Sequence, residues 1–271
     1  MGSLPFLSVT AALDFNQEFD LPVLFTLPSL GQEHFMGFDV AFLLGILDGT
    51  DNKQKVQLKS KFYRTSNDII PFFLSDFLQR QRGDAFKYQL IGPYTFFKIL
   101  DEPMINFEQF CHFLITKYKN LIEMLQREGM TLFSLDEPLI GGLINESPNY
   151  RQSLCSFIEE LKSHKFDLSV HVCSDIPVSL VKELPSKFNL DFSILSQIDK
   201  SYVDQTNIFG FSEGVCKLQD FLGENLPHSL DSLYASPSCG LYGVDEKKCY
   251  RVLSNLRTSK HHLIAAKSSC L

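Results

Sequence analysis

The 271-residue sequence lacks tryptophan, long apolar runs and any excess of basic residues. Its 25 Lys and Arg face 32 Asp and Glu, for a net charge of −7, so we expect no nucleic-acid partner. No apolar run reaches the ~18 to 20 residues that cross a bilayer, and the first residues lack the basic opening of a secretory signal. We therefore expect no membrane partner and a cytoplasmic location.

The cysteines are seven in number and widely scattered, which argues against a disulfide framework and favours reduced thiols. Four of them fit helix faces and are predicted to be core residues: Cys111, Cys155, Cys216 and Cys249. The 25 Phe residues would fill the layer between helices and sheet, where no tryptophan is present.

Apolar runs alternate with helical stretches along the chain, which is typical of βα units around a parallel sheet. About eight such runs predict a single-domain α/β protein, a (β/α)8 TIM barrel over residues 21–271, with residues 1–20 as an N-terminal extension. The candidate strands are residues 21–27, 56–62, 88–91, 131–135, 168–172, 192–195, 207–211 and 232–235.

The clearest helix lies between the third and fourth candidate strands, and Gly129 is expected to end it. Six apolar residues recur there at spacings of three and four and predict one buried face: Phe107, Phe110, Leu114, Tyr118, Leu121 and Leu125.

His171 and Cys173 close an apolar run, and residues two apart on a strand point to the same side. Taken alone, such a pair also fits a buried core or a loop. Cys239 follows the last candidate strand and would reach the same end of the barrel, where such folds carry their chemistry. Two thiolates and one imidazole suit zinc and leave a position free for substrate.

Asp136 and Glu137 are adjacent carboxylates at the end of the fourth candidate strand. Because neighbours on an extended segment diverge, at most one should face the cavity. Both could instead be solvated loop residues, or one could cap a following turn. The residues 92–95 after the third strand could bring backbone N–H groups and a hydroxyl to the same end, although a tight turn explains them equally well.

Five fragments in order resemble the catalytic, C-terminal domain of cobalamin-independent methionine synthase. They are Leu-Pro-Ser-Leu-Gly at 27–31, Ile-Gly-Pro-Tyr-Thr at 91–95, Leu-Asp-Glu-Pro at 135–138, His-Val-Cys at 171–173 and Pro-Ser-Cys-Gly-Leu at 237–241. The likeness spans most of the chain and places it within the barrel superfamily that also contains uroporphyrinogen decarboxylase.

This resemblance implies a zinc-dependent methyl transfer to a small-molecule thiol such as homocysteine. His171, Cys173 and Cys239 would bind zinc, Asp136 would meet the amino group of the substrate as the catalytic carboxylate, and Ser29 would lie near its carboxylate. The methyl donor would be a folate or, as in short core forms of the enzyme, a corrinoid protein.

Two positions depart from the family pattern. Gln197 stands where the family supplies a glutamate as fourth zinc ligand, and a neutral amide is the poorer ligand, with Asp199 a possible substitute. Lys61 stands where the family uses a glutamate to hold the substrate ammonium, and its positive charge suits a carboxylate or phosphate better.

These departures leave two alternatives open. One is a catalytically degenerate barrel that retains zinc and serves as a binding protein, for which a closed, four-ligand metal site would be expected. The other is a metal-free enzyme similar to uroporphyrinogen decarboxylase, which would need arginines at the mouth for substrate carboxylates, where Arg64 is the obvious loop candidate.

Overall fold

The structure is a computed structural model. It describes residues 4–19, 87–99, 105–127, 129–163, 166–191, 202, 206–211, 234–237, 241 and 244–269.

A six-stranded parallel sheet organises the described residues, and its strands lie side by side in chain order. They are β1 (Lys87–Ile91), β2 (Leu132–Asp136), β3 (Asp167–Val172), β4 (Lys187–Asp191), β5 (Thr206–Phe211) and β6 (Tyr234–Pro237). Parallel neighbours require a crossover at each step, and consecutive order without reversal is the order found in a barrel.

The predicted α/β class with a parallel sheet is thus confirmed. The candidate strands at 21–27 and 56–62, which would complete a set of eight, lie outside the described residues, so closure into a barrel stays a prediction.

Six α-helices and one 3-10 helix accompany the described strands. They are α1 (Val9–Asn16), α2 (Pro93–Ile99), α3 (Phe107–Arg127), the 3-10 helix (Ile140–Asn145), α4 (Pro148–Lys162), α5 (Val178–Glu183) and α6 (Glu246–Ser269). The six apolar positions predicted for the long helix α3 are all buried. Gly129 follows its end with a positive φ of 93°, a conformation in which glycine has no Cβ penalty.

Two strands lie away from their predicted positions. The strand between β3 and β5 is Lys187–Asp191, earlier than the predicted 192–195, which lie outside the described residues. The last strand is Tyr234–Pro237, two residues later than predicted. Phe188 and Leu190 are buried on β4, with Asn189 between them, and the same alternation continues in the sequence to Phe192 and Ile194, so the pattern does not fix where the strand begins.

The N-terminal segment packs onto the C-terminal helix α6. The Phe15 ring meets the Tyr250 ring edge-on at 5.1 Å, and Arg257 donates to the backbone carbonyl of Glu18 at 3.0 Å and to its carboxylate at 2.6 Å. Leu4, Leu13 and Phe15 are buried in the main core. Residues 4–19 therefore contribute to the core, while the domain boundary at residue 20 stays a prediction.

Three of the four cysteines predicted for helix faces lie on helices: Cys111 and Cys249 are buried, and Cys155 is half-buried. Cys216 lies outside the described residues. Within the described helices, none is long and apolar enough to cross a membrane.

Candidate functional site

The two faces of the sheet differ sharply in polarity. Side chains two apart share a face of a strand, so β1 to β4 have one apolar face and one face on which most residues are polar. The apolar face is buried and consists of Tyr88, Leu90, Phe133, Leu135, Leu168, Val170, Val172, Phe188 and Leu190. The other face includes the buried apolar residues Ile91 and Leu132 and six polar residues that we call the polar face: Gln89, Ser134, Asp136, Ser169, His171 and Asn189.

The strand register sorts the polar face into two rows. Ser134 lies opposite both Gln89 and Ser169, and these three form the lower row. Two residues further along each strand, Asp136 and His171 lie opposite each other, and His171 also lies opposite Asn189; these three form the upper row. The upper row is at the carboxyl ends of the strands, where active sites of parallel α/β folds are found.

The polar face is buried as well as polar. Five of its six members are less than a tenth exposed, and Asp136 is half-buried. Buried polar groups cost free energy unless they are hydrogen-bonded, so a sheet face of this composition needs partners within the protein or from a ligand. This makes the polar face the candidate site.

Asp136 is held by the lower row. Gln89 Nε2 donates to both carboxylate oxygens at 3.1 Å, and Ser134 Oγ lies 3.4 Å from Oδ1. Lys87, buried at the start of β1, interacts electrostatically with the same carboxylate. Burial lowers the pKa of Lys87 to about 8, and the attraction of Asp136 opposes this shift.

Glu137 points away from Asp136, as neighbours on an extended segment should. Its carboxylate is fully buried and accepts the backbone N–H groups of Tyr94 at 2.9 Å and Thr95 at 2.7 Å, at the start of α2. Glu137 therefore caps a helix of the neighbouring βα unit, satisfying two N–H groups that have no partner within that helix.

Burial raises the pKa of Glu137 to about 7, although the hydrogen bonds from Thr95 and Tyr94 act in the opposite direction. The pocket also explains Gly92: a Cβ at that position would lie 2.1 Å from Cδ of Glu137. The sequence left open that one carboxylate caps a following turn, but Glu137 instead caps the start of α2, whose Tyr94 and Thr95 precede it by more than forty residues.

His171 and Cys173 lie at the carboxyl end of β3. His171 is on β3 and nearly buried, and Cys173 is half-buried just beyond the end of that strand. Ser174 Oγ donates to the Pro138 carbonyl at 2.6 Å and so joins the segment after β3 to the one after β2. The structure thus brings Asp136, His171 and Cys173 to one end of two neighbouring strands.

The remaining predicted site residues, Ser29, Lys61, Gln197 and Cys239, lie outside the described residues. Cys239 follows the last residue of β6 by two positions, and β6 is the third strand from β3. In a flat sheet that separation is about 14 Å, so convergence of Cys239 with His171 on one ion requires a curved sheet. In the part of the chain that the structure describes, no three His, Cys, Asp or Glu side chains are grouped so as to hold a metal.

Comparison with known proteins relates the chain to methionine synthases that work without cobalamin. Residues 56–180 match the sequence model of the cobalamin-independent synthase N-terminal domain. This range contains Lys61, Asp136, His171 and Cys173, and it excludes Ser29, Gln197 and Cys239. The matched domain differs from the catalytic one that the motifs resemble, so membership of the catalytic-domain family stays a prediction.

Two solved structures share the fold. One is a B12-independent methionine synthase from a Shewanella species in complex with selenomethionine, with 16% identity, a TM-score of 0.57 and coverage of 73% of this chain and 68% of that one. The other is a Listeria monocytogenes protein assigned as a vitamin-B12-independent methionine synthase, with 18% identity, a TM-score of 0.54 and coverage of 70% and 69%.

Among curated protein sequences, none is significantly similar to this chain. The chain is therefore similar, in fold and over less than half of its sequence, to B12-independent methionine synthases.

Proposed function

We propose that this protein is a zinc-dependent methyltransferase of methionine synthesis, which moves a methyl group to a homocysteine-like thiol. The observation that carries the proposal is the register of β2 and β3, which sets Asp136 directly opposite His171, with Cys173 two residues further on. This register supports a site at the carboxyl end of the sheet in which Asp136 would accept an ammonium group and His171 and Cys173 would bind zinc.

The donor set fits zinc in its chemistry. His171, Cys173 and Cys239 would hold the ion, and Gln197 would be a weak fourth ligand or none, which leaves a coordination position for substrate. When bound, zinc favours the thiolate form of a thiol near neutral pH. Other residues of the chain would bind and orient the substrate. Asp136 would hold its ammonium group, Ser29 would lie near its carboxylate, and Lys61 would contact an anionic group.

The substrate class is supported by the Shewanella methionine synthase, whose structure is a complex with selenomethionine. An amino acid with sulfur or selenium in its side chain has the two features that the site would bind: an ammonium group for Asp136 and a soft atom for the metal. The methyl donor would be a folate or a corrinoid protein, and the described residues favour neither.

A second function, that of a non-catalytic binding barrel, is favoured by one observation: the matching family model is the N-terminal domain of the synthase. In that case the polar face would bind a small molecule without methyl transfer, and any zinc would sit in a closed, four-ligand site.

The deciding experiment is the zinc content of the purified protein, measured beside the variants Cys173→Ser and Cys239→Ser. The matched control is Cys155→Ser, a half-buried cysteine on α4. We expect about one zinc per chain in the wild type and the control, and loss of zinc in both site variants.

X-ray absorption at the zinc edge, with and without homocysteine, then separates the two functions. A new sulfur neighbour on addition of the thiol supports the methyltransferase, because only an open site gains a ligand. Zinc with an unchanged shell supports the binding barrel. Absence of zinc after reconstitution would refute the zinc-dependent reaction.

A further inference from the structure

Gln89 has a buried carboxamide whose orientation is set by its neighbour. It lies on β1 in the lower row of the polar face and is 4% exposed. Its Nε2 lies 3.1 Å from both oxygens of Asp136. Because an ionised carboxylate only accepts hydrogen bonds, the NH2 group must face Asp136 and the carbonyl oxygen must face elsewhere.

That carbonyl oxygen, Oε1 of Gln89, is buried and has no hydrogen-bond partner among the described residues. Ser169 Oγ, in the same row two strands away, is likewise buried without a partner there. Native proteins rarely leave such atoms unsatisfied, and those that remain are filled by water or by a ligand. Two of them on one sheet face, directly below Asp136 and His171, mark a place where a ligand with donor groups would be stabilised.

The charges on this face favour a ligand with a cationic N–H donor, which would be held by hydrogen bonds as well as by electrostatic attraction. Asp136 is already balanced in part by the buried Lys87. Because Lys87 offsets part of the negative charge of Asp136, a cationic ligand would also need hydrogen-bond acceptors that point towards it. An ammonium group has three N–H donors. The Asp136 carboxylate already accepts hydrogen bonds from Gln89 Nε2, so its remaining lone pairs can accept only some of these three.

We propose that Gln89 is a ligand-binding and positioning residue: its NH2 group orients the Asp136 carboxylate, and its Oε1 accepts an N–H from the ammonium group of an amino-acid ligand. The proposal rests on the proposed function for the class of ligand, but it does not depend on zinc. It predicts that Gln89 discriminates between ligands with and without an ammonium group.

The test is calorimetric binding to the full chain of two ligand pairs: homocysteine and its deamino analogue, and methionine and its deamino analogue. Each pair differs only in the ammonium group, and the thioether pair makes no use of a thiolate on a metal. The variant is Gln89→Met, which keeps the length of the side chain and removes its polar atoms. Gln152→Met, an exposed position on α4, is the matched control.

We expect the wild type and the control to bind each amino acid at least about tenfold more tightly than its deamino analogue, and Gln89→Met to lose most of that ratio while its affinity for the deamino ligands changes little. Gln89→Asn withdraws the carboxamide by one methylene while keeping a polar side chain. It should show the same selective loss, and it serves as the test if Gln89→Met does not fold.

Equal weakening of both members of a pair would overturn the proposal, because it would mean that Gln89 supports the fold alone. An unchanged ratio would overturn it too, as would a wild type that binds neither member. The outcome for the proposed function is read separately: zinc that gains a sulfur neighbour from homocysteine, without ammonium discrimination, keeps the methyltransferase and removes the role of Gln89. If the protein binds methionine more tightly than its deamino analogue but contains no zinc, the role of Gln89 is kept and the zinc-dependent methyltransferase is excluded.

Discussion

The pKa of Glu137 shows which of two opposing effects on a carboxyl group, burial or hydrogen bonding, is the larger. Its carboxylate accepts two short backbone hydrogen bonds, which favour the charged form, yet it is fully buried, which disfavours it. Burial prevails, and the pKa is about 7 against an ordinary 4.5. A carboxyl whose pKa is raised on folding binds its proton more tightly in the folded state, so the protein loses stability as the pH rises from the unfolded to the folded pKa.

The perturbation is Glu137→Gln, which cannot ionise and keeps nearly the same shape. At acid pH the wild-type residue is also neutral, and both proteins place one acceptor against the two N–H groups of α2. As the pH rises, only the wild type must bury a charge. A pKa raised from 4.5 to about 7 corresponds to about 3 kcal/mol, so the stability of the wild type relative to the variant should fall by up to that amount between about pH 4.5 and about pH 7.

The assay is urea unfolding of both proteins across this range, with the difference in unfolding free energy plotted against pH. Taking the difference between the two proteins cancels the contributions of the titratable groups that both contain. Glu123→Gln, at an exposed position on α3, is the control and should give a flat difference. A difference that rises with pH would refute the reasoning, because it would mean that the hydrogen bonds from Tyr94 and Thr95 outweigh burial and hold the pKa below 4.5.

Three further predictions concern the elements that surround the site. Gly92→Ala should destabilise by about 3 kcal/mol or more, since its Cβ would overlap the Glu137 side chain, and Glu137→Ala in the same chain should recover most of this loss in a double-mutant cycle followed by urea unfolding. Additive losses would exclude the overlap as the cause. Tyr118→Phe removes the buried hydroxyl that donates to the Ile91 carbonyl at 2.7 Å, and should cost about 1 to 3 kcal/mol in thermal or urea unfolding. A loss below experimental error would show that the carbonyl finds another donor. Lys87 has a pKa of about 8, lowered by burial from 10.5, so the folded protein releases this proton before the unfolded one. The stability of the wild type relative to Lys87→Met should therefore rise between about pH 8 and about pH 10, as measured by urea unfolding at each pH, and a flat difference would mean that Lys87 is not desolvated.

The parallel arrangement of βα units could be predicted because hydrophobic periodicity is local. The buried face of α3 and the stop at Gly129 both follow from residues within one helix and the turn after it. Strands β1, β2, β3 and β5 were predicted to within a residue for the same reason. β4 was predicted too far along the chain because apolar residues alternate without a break from 188 to 194, and periodicity alone does not decide which part of that segment forms the strand.

Spacing along the chain predicts that His171 and Cys173 share one side of a strand end, and adjacency requires the side chains of Asp136 and Glu137 to diverge. The contacts that each of these side chains makes depend on how the strands and helices pack. Strand register set Asp136 opposite His171, and packing brought Glu137 to the start of α2 and Gln89 to Asp136. These contacts join residues more than thirty positions apart, and no local pattern encodes them, because register is chosen by the whole sheet and its helices as they bury the apolar face.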